Sequence, residues 1–99
     1  MSNETFGNFI RKRREIKLLP LRKVAAYLDI DTSTLSKIER GVRPALTDYL
    51  KPLSEILEID LKEVQTVFIA DKISKDFGGL EHLTEGLKAA QMIINQGSK

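Results

Sequence analysis

Apolar positions recur along the chain at the three-and-four spacing of helices, and nowhere with the alternation of strands. Phe6, Phe9 and Ile10 open a first amphipathic face that continues through Arg13, Arg14 and Lys17, with Asn3 or Thr5 placed to cap it. Pro20 suits the first position of a second helix, whose inward stripe is Leu21, Val24, Ala25 and Leu28. Asp31 is the expected cap of a third, with Leu35 and Ile38 turned inward and Gly41 as the stop. A loop, Val42-Arg43-Pro44-Ala45, leads to a fourth helix carrying Leu50, Leu53, Ile56 and Leu57. Thr47 is a candidate cap for it, but Pro52 would then lie about five positions inside and remove a hydrogen bond, which favours a start near Leu50.

A fifth helix is expected from about Leu61 to Phe77, with Val64, Val67, Phe68, Ile69 and Ile73 among its apolar residues, and Gly78-Gly79 breaks it. A sixth then carries Leu80, Leu83, Leu87, Ala90 and Ile94, a narrow apolar seam. Gln96 to Lys99 should fray. The fold class is all-α.

Composition narrows the function classes. The chain has 99 residues, one domain's worth, and 41% apolar with 30% charged residues suits a small core. There is no cysteine, so disulfide scaffolds, thiol nucleophiles and common zinc fingers are excluded. His82 is the only histidine; it lies in the expected sixth helix between Glu81 and Glu85 and reads as an inert surface residue. With no phosphate-cradling glycine loop and no carboxylates at metal spacing, no catalytic set, metal site or cofactor is expected. No apolar run reaches the roughly 18 residues that span a bilayer, and the N-terminus lacks a signal-peptide pattern. No membrane partner and a cytoplasmic location are expected.

The net charge of +2 is unevenly spread. Residues 1–50 carry 10 Lys and Arg against 6 Asp and Glu, whereas residues 51–99 carry 6 against 8. Arg11, Lys12, Arg13, Arg14, Lys17, Arg22 and Lys23 crowd into one short stretch, which points to an anionic partner for the N-terminal half.

The second and third helices are both short and joined by a tight turn at Asp29-Ile30-Asp31, the proportions of a helix-turn-helix. Ala25 leaves room for the two backbones to cross closely. Opposite Leu35 and Ile38, the third helix presents Ser33, Ser36, Lys37 and Arg40, with Thr32 and Thr34 at the margins. Hydroxyls and long cations of this kind bond to base edges and phosphates, although any solvated helix face looks similar. Arg14 falls on the stripe of Phe6 and Ile10 and so points inward, where it needs a counter-charge. Glu39, beside Ile38, is the expected partner.

The stretch from Ile10 to Arg14, with Leu21 through Gly41 and above all Leu35-Ser-Lys-Ile-Glu-Arg-Gly41, resembles the Xre-type helix-turn-helix of the lambdoid phage repressors and Cro. The resemblance runs from about Phe6 to Val64. It implies a five-helix lambda-repressor-like DNA-binding domain over residues 5–60, followed by a helical extension over 61–99. It also implies a buried Arg14–Glu39 pair, base reading by Thr32, Ser33, Ser36 and Lys37, and phosphate contacts from Leu21, Arg22, Lys23, Thr34, Arg40 and Arg43. Members of this family commonly act as homodimeric repressors on inverted-repeat operators. Leu21 replaces a glutamine that touches phosphate in several relatives, which leaves a backbone contact or none. Arg13 stands where an apolar residue is usual, so its stem is expected to cover the core while its head escapes.

The extension is acidic and apolar, suited to protein contact. Dimerisation is expected there, through either the seam Leu80, Leu83, Leu87, Ala90 and Ile94 or the face Val64, Val67 and Phe68. Among small regulators, those of restriction–modification systems and of phages both fit this outline. The alternative is an antitoxin that represses its operon while Ile69, Ile73, Phe77 and Leu87 face a toxin.

Overall fold

A computed structural model describes residues 4–97, which form six α-helices and no strand. The helices are α1 (Phe6–Ile16), α2 (Leu21–Leu28), α3 (Thr32–Glu39), α4 (Leu50–Leu57), α5 (Leu61–Phe77) and α6 (Leu83–Gly97). Asn3, Ser98 and Lys99 lie outside the described residues, so the Asn3 cap and the last two positions of the fraying tail do too. Gln96 and Gly97 are helical.

Three of the helix starts have a local reason. Thr5 caps α1 by accepting from the Asn8 N–H at 3.1 Å, and the Asp60 carboxylate caps α5 by accepting from Lys62. Pro20 is the residue before α2 rather than its first. A 3₁₀ turn, Thr47–Tyr49, precedes α4, and Pro52 therefore sits in the first turn of α4, where its missing N–H has no helical partner to lose. α2 and α4 end on Asp29 and Glu58, both in the left-handed region.

The core is one cluster. Phe6, Phe9 and Ile10 of α1 meet Val24, Ala25 and Leu28 of α2, Leu35 and Ile38 of α3, and Leu50, Leu53 and Leu57 of α4. Val64 of α5 is 0% exposed within this cluster, and Val67 and Phe68 pack on its edge. The Phe68 ring stands edge-on to Phe6 at 5.3 Å between centroids. Two polar ties reinforce the contact: the Phe6 N–H donates to Asp71 Oδ2 at 3.1 Å, and Arg13 donates to Glu63 at 2.7 Å. The first half of α5 therefore packs with the helices that precede it. Arg13 also departs from expectation. Its guanidinium lies 5.0 Å from the Phe9 ring centre and, at the surface, is tied to the α5 carboxylate instead of being free in water.

Beyond Ile73 the chain leaves the core. Gly78 and Gly79 form the turn, and α6 begins at Leu83, so Leu80 and His82 belong to the connection and not to the sixth helix. α6 contributes no buried residue.

Leu18, just past α1, is held at φ 57° with its side chain 88% exposed. A Cβ costs about 1 kcal/mol in that region, and this side chain buries little in return. Leu18→Gly should therefore raise the unfolding free energy by about 0.5–1 kcal/mol, measured by urea denaturation. A loss of stability would mean that the side chain has a partner in solution.

Candidate nucleic-acid interface

The turn between α2 and α3 is built by Asp29 at φ 59°, with the Asp29 and Ile30 N–H groups donating back to the carbonyls of Ala26 and Ala25. Ala25 is buried beneath the crossing, which brings the helices together with no bulk between them. α2 and α3 both begin without a side-chain cap: Pro20 has no group to offer, and Asp31 occupies the cap position without bonding. The first N–H groups of α2 thus keep their positive potential for an outside acceptor, while at α3 the Asp31 charge offsets part of it.

Leu35 and Ile38 anchor α3 in the core, which turns Thr32, Ser33 and Lys37 to solvent and leaves Thr34 and Ser36 half-buried. Arg40 lies one turn beyond Ser36 and donates to its hydroxyl at 3.4 Å. The helix thereby ends in a cation drawn along its outer face. Arg22, Lys23 and Arg43 are exposed. The Leu21 side chain, by contrast, packs against the core, so only its backbone is available to a ligand.

Behind α3 lies the Arg14–Glu39 pair. Arg14 donates from Nε to Glu39 Oε2 at 2.8 Å and from Nη2 to Oε1 at 3.0 Å, while Nη1 donates to the Leu19 carbonyl at 3.0 Å. The side chains are 14% and 5% exposed. Donating to the Glu39 carboxylate makes the guanidinium hold its proton more tightly than usual, against the opposing pull of burial. One guanidinium thus joins α1, the turn before α2 and the C-terminal end of α3.

A helix-turn-helix family profile matches residues 10–64. The chain belongs to the helix-turn-helix family. Its type is that of Xre, lambda repressor and Cro, and its members are DNA-binding transcriptional regulators. No curated protein and no solved structure matches the chain significantly. The matched span of this helix-turn-helix protein covers the paired helices, the Arg14–Glu39 tie and α4, and ends at the core residue Val64. No described helix is long and apolar enough to cross a membrane.

Three features escaped the reading of residues alone. Gly7 rests against the end of α3: a Cβ there would clash with the Ile38 and Glu39 carbonyl oxygens and lie 2.8 Å from the Glu39 carbonyl carbon. Tyr27 donates to Glu55 at 3.0 Å and ties α2 to α4, and that bond to the carboxylate raises the phenol's pKa. Lys17 pairs with Glu58, which lowers the pKa of that carboxyl. Glycine in a helix and polar partners far apart in sequence give no periodic signal, so only the packing of α1 to α4 on one another could disclose them.

The Val64 face, one of the two expected dimer surfaces, is used within the protomer. Val64 is fully buried, and Val67 and Phe68 lie against the core. Of the other surface, Leu80, Leu87 and Ile94 are exposed and Leu83 is half-buried.

Proposed function

We propose that the protein is a homodimeric repressor that sets α3 of each copy into successive major grooves of an inverted-repeat operator. The observation that carries this reading is the outer face of α3, polar throughout and held in place from behind by a buried Arg14–Glu39 pair joined by two hydrogen bonds. In this reading Thr32, Ser33, Ser36 and Lys37 meet base edges. The Leu21 backbone with Arg22, Lys23, Thr34, Arg40 and Arg43 meets phosphates and sets the register. Two recognition helices about 34 Å apart fit one side of the duplex, and occupancy of a promoter suffices for repression.

Selection of bound sequences from a random duplex pool tests this directly. An inverted repeat recovered with two chains per duplex is the expected result, and no enrichment over non-specific binding would refute it. The division of labour has its own test on the selected site. Lys37→Ala should cost about 1–3 kcal/mol and relax preference at one base pair. Arg22→Ala should weaken all sequences alike and reduce the salt slope by about one. Identical behaviour of the two variants would contradict the assignment.

A further inference from the structure

Residues beyond Ile73 leave an apolar surface that the rest of the described chain does not cover. A groove of about 540 Å³ runs between the end of α5 and α6, lined chiefly by Ile73, Phe77, Leu80, Leu83, Leu87 and Ala90. Beside it on α6, Ile93 and Ile94 project into solvent as a ridge. Gly86 also lines the groove, and a Cβ there would meet nothing within 4 Å. Around the axis of α6 these residues form one continuous apolar stripe.

The amount of surface identifies what is missing. The chain exposes 7148 Å², whereas a compact monomer of 11.2 kDa exposes about 5,700 Å². Its radius of gyration is 15.0 Å, against about 13 Å for a compact chain of this length. The excess of about 1,400 Å² exceeds the roughly 800 Å² that each partner buries in a standard stable interface. Charge narrows the occupant further. Glu81 and His82 line one end of the groove, and Glu85 and Lys88, one of each sign, are the only charged residues of α6, so no run of like charge selects a basic or an acidic partner. Ridge and groove lie side by side on one face, so two copies related by a twofold axis fill one another.

We infer that a second copy of this chain occupies the groove, α6 of each protomer packing into the α5–α6 cleft of the other. This rests on the homodimeric reading above and names its surface, with the Val64 face excluded. The dimer forms without DNA, and the extension alone supplies its interface.

Sedimentation equilibrium of the full chain in the absence of DNA provides the test. The wild type should sediment at twice its 11.2 kDa mass at micromolar concentration. Leu87→Glu with Ile94→Glu should raise the dissociation constant at least about 100-fold. Leu18→Gly, altered far along the chain from the groove, should keep the wild-type mass. α6 supplies no core residue, so the charged variant should retain the wild-type urea midpoint for the core when both are measured as monomers. Its affinity for a single half-site should also be unchanged, with only cooperative binding to the full operator lost.

A wild type that sediments as a monomer, or as an open series of aggregates, overturns the inference. The aggregates are what a groove kept for a different protein would give. A charged variant that stays dimeric overturns it equally. A dimer that dissociates as expected but selects no DNA sequence upholds this interface and refutes the operator reading instead.

Discussion

Glu39→Ala should lower the unfolding free energy by about 3–5 kcal/mol, a large part of the roughly 5–15 kcal/mol that holds a domain folded. The reason lies in what the substitution leaves behind. Arg14 spends Nε and Nη2 on the two Glu39 oxygens and Nη1 on the Leu19 carbonyl, with only 14% of its side chain exposed. Without Glu39, a guanidinium that stays charged at every accessible pH keeps one neutral acceptor in a site that admits little water. The urea midpoint at constant m-value is the measurement. A loss below about 1 kcal/mol would place the pair among weak surface ion pairs and contradict its burial. Replacing both residues by leucine should restore most of the stability, because no uncompensated charge remains. Arg14→Lys with Glu39 in place should keep little of the pair's contribution, since an ammonium cannot bond both carboxylate oxygens and the Leu19 carbonyl in the same fork.

Gly7→Ala is expected to cost about 3 kcal/mol, the upper end of the usual range for overpacking. The atoms a Cβ would meet are the Ile38 and Glu39 carbonyls, part of the backbone of α3, and no rotamer change removes them. Relief requires α1 and α3 to separate, which strains the Arg14–Glu39 bonds and tilts the recognition helix. Affinity for the selected operator should therefore fall even at temperatures where the variant remains folded. Gly79→Ala is the matched control. That site is open, with no contact within 4 Å of the added Cβ, and the change should stay within about 0.5 kcal/mol. A Gly7→Ala variant as stable as this control would mean that the helices sit farther apart in solution.

Much of the architecture was legible because it rests on short-range rules. Spacing of apolar residues gave the six helices, and the conflict between Thr47 and Pro52 placed the start of α4 at Leu50 correctly. The inward direction of Arg14 followed from its phase with Phe6 and Ile10, and its need for a charge then pointed to Glu39. The same rule failed at Arg13. Its phase brought it to the edge of the core, but its partner, Glu63, lies 50 residues away in α5. Helix phase says which way a side chain points and nothing about what a distant helix brings to meet it. The start of α6 was misplaced for a related reason: Leu80 fits the spacing of the seam, yet the turn that follows Gly79 continues through His82 before the helix begins.

The chain by itself determined the helical class, the helix-turn-helix and the polar face of α3, because periodicity, turn residues and capping are properties of neighbouring positions. Tertiary structure alone decided how the two apolar faces of the C-terminal region are used. Along the sequence, Val64-Val67-Phe68 and Leu83-Leu87-Ile94 are equivalent stripes. In the fold, the first closes the protomer's own core while the second is left in water. Burial depends on which surfaces the chain's path brings within contact distance, and no count along the sequence contains that distance.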